Sequence, residues 1–299
     1  MLTEFTVAAV QMNSGESKEA NYAKAGALVR RAAAEGASLV VLPEYFNCLG
    51  DRRRMSAEAE ELRGPTAEWL ATLARKLKIT LVGGTFCERS PDATRAFNTS
   101  LTFDATGTCI ATYRKLHLFD VDLPGRLTYC ESSWLAPGDD VVVVDLPIGP
   151  DDTHDVDVGE NATGGLTSPA PHGDDKRSWR SGLAICYDLR FPELFRLFAD
   201  AAAELIVVPA AFTKTTGRDH WELLCRARAL ENQCFLVASN QTGRHAALET
   251  YGHSLVVDPW GVVLASATEE EGIVAATISR TRLDEVRAQL PALKHRRRL

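Results

Sequence analysis

The chain has 299 residues, 45% of them hydrophobic and 24% charged, with 33 Lys and Arg against 40 Asp and Glu for a formal charge of −7. That much apolar content supports a large buried core and excludes wholesale disorder. The acidic balance gives no reason to expect nucleic acid or an anionic membrane as partner, and no apolar run approaches the ~20 residues of a membrane span.

Thr3 and Glu4 interrupt the N-terminus before an apolar leader forms, so no secretory signal is expected. The cysteines at 48, 87, 109, 130, 186, 225 and 234 are odd in number and form no C-x-x-C pair. Neither a disulfide framework nor a zinc site is indicated; reduced thiols in the cytoplasm fit instead. The histidines form no H-x-x-x-H pair, so no metal is expected.

Phe5 to Val10 is an apolar run of strand length. Residues 18–35 are Ala-rich with interspersed Lys, Arg and Glu, which predicts a helix stopped at Glu35-Gly36. Leu39–Leu42 is a continuously apolar strand of the kind covered on both faces. Thr66 can cap a helix whose apolar positions are Trp69, Leu70, Leu73 and Leu77. Ile79–Gly83, Phe97–Phe103, Thr108–Tyr113 and Val141–Leu146 follow as strands. Residues 149–178 carry seven acidic and two basic residues, with several Gly, Pro, Ser and Thr, and read as an acidic insertion loop.

Gly182–Ile185 is a short buried strand, and Pro192-Glu193 opens a helix. Leu205–Val208 and Phe235–Ser239 are strands. The helix between them has a D-x-x-E cap at Asp219 and Glu222 and an apolar stripe of Leu223, Ala227, Leu230 and Cys234. His253–Val257 and Val262–Ala265 flank the turn Asp258-Pro-Trp-Gly261 as a hairpin. Ile273–Ile278 is a last strand, and Thr281–Leu290 a capped helix stopped by Pro291. With β/α alternation at both ends and no dividing linker, one α/β domain spanning 1–299 is expected.

Three residues follow three strands: Glu44, Lys115 and Cys186. Catalytic groups in α/β folds gather at strand ends. A carboxylate, an ammonium and a thiol meeting there would form a nucleophile site, with the acid moving protons and the cation holding developing negative charge. A thiol at a strand-to-helix junction also lies near free N–H groups and a helix dipole, which favour a thiolate. Taken singly, Cys186 reads first as a packed core thiol, Glu44 as a surface acid or cap, and Lys115 as a solvated charge. Pro43 before Glu44 is less casual, because proline fixes the direction of chain exit.

Leu42-Pro-Glu44, Tyr113-Arg-Lys115-Leu-His-Leu-Phe119 and Gly182-Leu-Ala-Ile-Cys186-Tyr-Asp-Leu-Arg-Phe-Pro-Glu193 resemble the three signature segments of the nitrilase (carbon–nitrogen hydrolase) superfamily, in the same order. The resemblance runs from Phe5 to the C-terminal basic residues apart from 149–178. It includes Cys130-Glu131-Ser132, Pro137-Gly138, His220-Trp-Glu-Leu-Leu224 and Tyr251-Gly-His-Ser254.

It implies a four-layer αββα sandwich and a Glu44–Lys115–Cys186 triad, with Glu131 as a second glutamate orienting substrate and base. The backbone N–H of Tyr187 joins Lys115 as oxyanion donor. The implied reaction is hydrolysis of a small-molecule carboxamide through a cysteine thioester, without metal or organic cofactor, in a homo-oligomer. Asp188 and Arg190 are expected to form structural ion pairs, and His117, His220 and His253 to brace loops. Arg296–Arg298 fit a basic tail near a dimer interface rather than a nucleic-acid site.

Gln241–His245, Arg226–Cys234 and Val257–Gly261 resemble deaminated glutathione amidases, the favoured reading. Phe119–Gly125 and Thr213–Gly217 resemble omega-amidases, which hydrolyse α-ketoglutaramate. Both substrates are anionic, which makes Arg244 a candidate contact. Other readings are a true nitrilase, a thiol redox protein using Cys186, and an idle interaction protein that binds through 149–178. That insertion makes the Lys115-to-Cys186 separation longer than the family pattern by roughly thirty residues.

Overall fold

The computed structural model describes residues 4–92, 94–125, 127–149, 178–246 and 248–297. The acidic insertion, except for its end residues Gly149 and Ser178, lies outside them.

Period-two alternation along two strands decides the layering. In Glu4–Gln11, the side chains of Phe5, Val7 and Ala9 enter one core and those of Ala8 and Val10 enter another. Ala37–Val41 divides in the same way, Leu39 and Val41 to one side and Val40 to the other. Strands this apolar on both faces need cover on both faces.

Among the described residues, the first sheet has seven strands. Its order is Gly272–Ser279, Glu4–Gln11, Ala37–Val41, Thr80–Val82, Ala96–Phe103, Phe86–Arg89, and Cys109–Arg114 also pairs with Ala96–Phe103. The second has six: Val263–Ser266, Leu255–Val257, Phe235–Asn240, Leu205–Ala210, Ser178–Leu183 and Val143–Pro147.

The core shared by the sheets joins Val7, Leu39 and Val41 to Leu183, Leu205 and Val207. A polar stitch crosses it where Ser239 Oγ donates to the Val10 carbonyl. Outside the first sheet lie helices Lys18–Ala34 and Pro65–Leu77, whose Val29, Ala32, Leu70 and Ala74 pack on Val10, Val40 and Leu81. Helices Pro192–Asp200 and Lys214–Asn232 supply Phe195, Phe198, Trp221 and Ala229 to the core of the second sheet. The result is the α-β-β-α order of layers, with roughly 1.5–3 kcal/mol for each large side chain fully buried.

Several helix boundaries differ from the sequence reading. The second predicted helix starts at Pro65 with Gly64 as N-cap, and Thr66 sits inside it, held by Glu60 through its N–H and hydroxyl at 2.8 Å each. The long helix starts at Lys214 with Thr213 at the cap, so Asp219 and Glu222 are interior. Its buried side is Gly217, Trp221, Cys225, Ala229 and Asn232, whereas Leu223 is 66% and Leu230 47% exposed. That helix carries apolar residues on two faces, and the one with small residues and Trp221 meets the sheet. The last helix begins at Arg280, where Ser279 Oγ accepts from Arg282 N. The hairpin Asp120–Leu123/Leu127–Cys130 and the strand Phe86–Arg89 add to the sequence reading. No described helix is long and apolar enough to cross a membrane.

Candidate active site

The ends of the central strands bring four chain segments to one place. Glu44 lies three residues beyond Ala37–Val41, Lys115 directly after Cys109–Arg114, Cys186 three residues beyond Ser178–Leu183, and Ala211 directly after Leu205–Ala210. Backbone shape sets the first of these. Tyr45 has φ 54°, and its N–H is held by Thr85 Oγ1 at 2.9 Å. The neighbouring Gly84 has φ +58°, and a Cβ there would lie 2.2 Å from the Pro43 carbonyl oxygen. Only glycine lets the two loops approach so closely.

Lys115 is 1% exposed and lies between two buried carboxylates. Its Nζ donates to Glu44 Oε1 at 2.9 Å and to Glu131 Oε2 at 2.8 Å. Every carboxylate oxygen has a donor. Glu44 Oε1 also accepts from Asn98 Nδ2 at 2.7 Å, and Oε2 from the Ala211 N–H at 2.7 Å. Glu131 Oε2 accepts from the Phe119 N–H at 2.7 Å, and Oε1 from the Tyr45 hydroxyl at 3.1 Å. Such saturation is what makes buried ions tolerable. Asn98, Ala211 and Tyr45 escaped the sequence reading. Asn98 had a weak signal, as one of the polar residues interrupting the apolar strand Ala96–Phe103; a backbone N–H such as that of Ala211 has none.

Cys186 faces this cluster. The Ala211 N–H that binds Glu44 also lies close enough to the sulfur to favour its anion, as does Lys115. Burial, followed by the Glu44 charge, outweighs both and pushes the thiol well above its usual range. Burial thus outweighs the local features that the sequence offered in favour of a thiolate. Cys186 begins a five-residue 3₁₀ turn, Cys186–Arg190, and the α-helix whose dipole was invoked starts only at Pro192.

Burial likewise raises the Glu131 carboxyl, Lys115 opposing and Glu44 assisting. Lys115 resists its own desolvation: Glu131 and Glu44 hold its ammonium well above the ordinary lysine value. The cluster is thus a fixed cation between two acids, beside a protonated thiol.

Tyr187 places its N–H at the start of the 3₁₀ turn, where no earlier carbonyl of the turn can take it. Its ring packs edge-on against Phe119 at 5.0 Å and Phe191 at 5.3 Å. Asp188 and His117 pair at 2.7 Å, and Arg190 reaches His220 Nδ1 at 3.3 Å and lies over the Phe212 ring. His253 Nδ1 bonds the Tyr251 carbonyl. These histidines brace loops, as the sequence reading held. Arg190 departs from it, since its described partners are His220 and aromatic rings rather than an acid. Arg244 is exposed on the hairpin Thr242–Arg244/Glu249–Tyr251, opposite Glu249, and makes none of the described hydrogen bonds to the cluster. Among the described residues, no group of three or more His, Cys, Asp or Glu could hold a metal ion.

A carbon-nitrogen hydrolase family model matches residues 6–288. The chain belongs to the carbon–nitrogen hydrolase family. It is 37% identical to the human omega-amidase NIT2 over 297 residues, covering 99% of this chain and 96% of that one. It is also 37% identical to the deaminated glutathione amidase of Synechocystis over 294 residues, 98% of each chain. Among solved structures, the C. elegans NitFhit protein superposes with a TM-score of 0.83 at 36% identity. That match covers 99% of this carbon–nitrogen hydrolase but 65% of the longer worm chain.

Proposed function

We propose that this carbon–nitrogen hydrolase is an amidase that releases ammonia from the carboxamide of a small anionic substrate through a thioester on Cys186. The observation that carries it is the buried Lys115 ammonium held between Glu44 and Glu131, with the Cys186 thiol beside it. The thiol is protonated at rest, so the proton must leave as sulfur attacks. Glu44 takes it while the sulfur–carbon bond forms. The tetrahedral oxyanion is met by Lys115 Nζ and the Tyr187 N–H. Glu44 returns its proton to the departing nitrogen, ammonia leaves, and the thioester remains. Glu44 then takes a proton from water as it attacks, and the acid departs with the thiol restored. Glu131 fixes Lys115 and is itself held by the Tyr45 hydroxyl and the Phe119 N–H. Neither metal nor organic cofactor has a step in this sequence.

Deaminated glutathione is the first substrate to test and α-ketoglutaramate the second. Identity does not separate them, since relatives of both names stand at 37%. Steady-state ammonia release from each compound tests the reading. A kcat/KM for one at least tenfold above the other assigns it, and no ammonia from either overturns both.

The chain is read as one domain acting in the cytoplasm, in keeping with seven free cysteines. A homodimer is proposed through the exposed face of the long helix. Leu223 and Leu230 are bare there, and Gly261, flanked in sequence by the exposed Trp260 and Val262, lies against Leu230. Arg244, exposed on its hairpin, remains a candidate contact for the substrate anion, to be tested by a rise in KM on Arg244→Ala.

A further inference from the structure

Asp188 is fully buried, and four donors converge on its carboxylate. Oδ2 accepts from the Tyr113 hydroxyl at 2.6 Å and the Ile185 N–H at 2.8 Å. Oδ1 accepts from the His117 N–H at 3.1 Å and from His117 Nδ1 at 2.7 Å. Its own N–H donates to the Ile185 carbonyl at 3.0 Å. Residues 185 and 188 therefore close a ring through two hydrogen bonds, and Cys186 and Tyr187 are the residues held inside it. Cys186 has φ 45°, the left-handed region that a non-glycine residue enters only under constraint. The donors on the far side, Tyr113 and His117, flank Lys115 in sequence.

We propose that Asp188 is the positioning residue of this site. It holds the Cys186–Tyr187 backbone in its strained turn and fixes that turn against the segment that carries Lys115. The sulfur, the Tyr187 N–H and the Lys115 ammonium thereby keep one mutual geometry. This goes beyond the hydrogen bond with His117, and it rests on the thioester reading given above. Two accepting oxygens are required as well as the shape. In Asp188→Asn, the amide NH₂ must face either the Ile185 N–H or the His117 N–H, and neither can accept a hydrogen bond. One side of the clasp opens whichever way the amide turns. Misplacement of reacting groups by about 1 Å costs roughly 100-fold in rate.

The test compares wild type, Asp188→Asn and Tyr113→Phe by steady-state ammonia release and by iodoacetamide alkylation of Cys186 as a function of pH. Asp188→Asn is expected to lower kcat by roughly 100-fold with KM changed less than about threefold. The pH dependence of Cys186 alkylation is expected to shift as well, since the sulfur no longer sits against Glu44 and Lys115. Tyr113→Phe removes one of four donors and is expected to lower kcat by roughly tenfold; it decides the matter if Asp188→Asn does not fold by circular dichroism. A kcat within threefold of wild type in the folded variant, with an unmoved alkylation profile, overturns the proposal. Absence of ammonia release by wild type counts against the amidase reading instead. The alkylation profile then tests the clasp alone, and an unmoved profile overturns it.

Discussion

Replacing Lys115 with Met removes the cation from between two buried carboxylates while keeping an unbranched side chain of similar length. Two charge-assisted hydrogen bonds vanish, at 2.9 and 2.8 Å. Removing one partner of a buried pair costs about 3–5 kcal/mol, because the ions left behind have lost their solvation and their counter-charge. That cost depends on pH. Burial already raises the Glu131 carboxyl, and Lys115 is the main influence pulling it back. Without Lys115 the carboxyl rises further, so the folded variant binds a proton that the unfolded chain has released. Stability then falls as pH rises, beginning near the ordinary glutamate pKa of about 4.3 and continuing up to the raised value. One proton gives at most about 1.4 kcal/mol per pH unit, and wild type, whose Glu131 is itself raised, loses part of the same stability, so the gap between variant and wild type is expected to widen from pH 5 to pH 7 by less than ~2.7 kcal/mol. Urea unfolding of both proteins at the two pH values measures it, and kcat/KM is expected to fall at least ~100-fold with loss of the oxyanion donor. A gap that is the same at both pH values, or that narrows as pH rises, refutes the electrostatic reasoning.

Three further outcomes are expected. Because burial and Glu44 raise the Cys186 thiol, its alkylation by iodoacetamide should still be climbing at pH 9; a plateau below pH 8 would mean a resting thiolate. Gly84→Ala should destabilise the fold by about 3 kcal/mol and depress kcat, since a Cβ would meet the Pro43 oxygen at a left-handed φ; unchanged denaturant midpoint and kcat would contradict this. Leu223→Glu with Leu230→Glu should halve the mass seen by light scattering while the monomer stays folded, and an unchanged mass would place the interface elsewhere.

The three motif residues stood out because each follows a predicted strand, and strand ends in layered α/β folds converge, but it was the resemblance of their segments to the family signatures that set them apart from a core thiol and surface charges. The strand pattern itself was legible from continuous apolar runs, whereas the division into two sheets between helix layers came from the family resemblance. Helix faces were harder. In Lys214–Asn232 the aliphatic residues Leu223 and Leu230 form an attractive stripe, yet the sheet is met by Gly217, Trp221, Cys225 and Ala229. Periodicity finds apolar faces but does not say which one has a partner within the chain. Charge state was harder still. The dipole argument for Cys186 is local, whereas its actual environment comes from Glu44, 142 residues earlier, and from burial that no local pattern reports. The donors that saturate the carboxylates, Asn98 and the Ala211 N–H, lie 54 and 167 residues from Glu44, so only the fold reveals them.

Intact-protein and peptide mass spectrometry of acid-quenched turnover tests the thioester most directly. With an amide substrate that yields ammonia, the Cys186 peptide is expected to gain the mass of the substrate less ammonia. The Cys186→Ala protein should show neither the adduct nor ammonia release. Ammonia produced by the Cys186→Ala protein at near wild-type rate, or an acyl group found on any other residue, would contradict a cysteine nucleophile at this site.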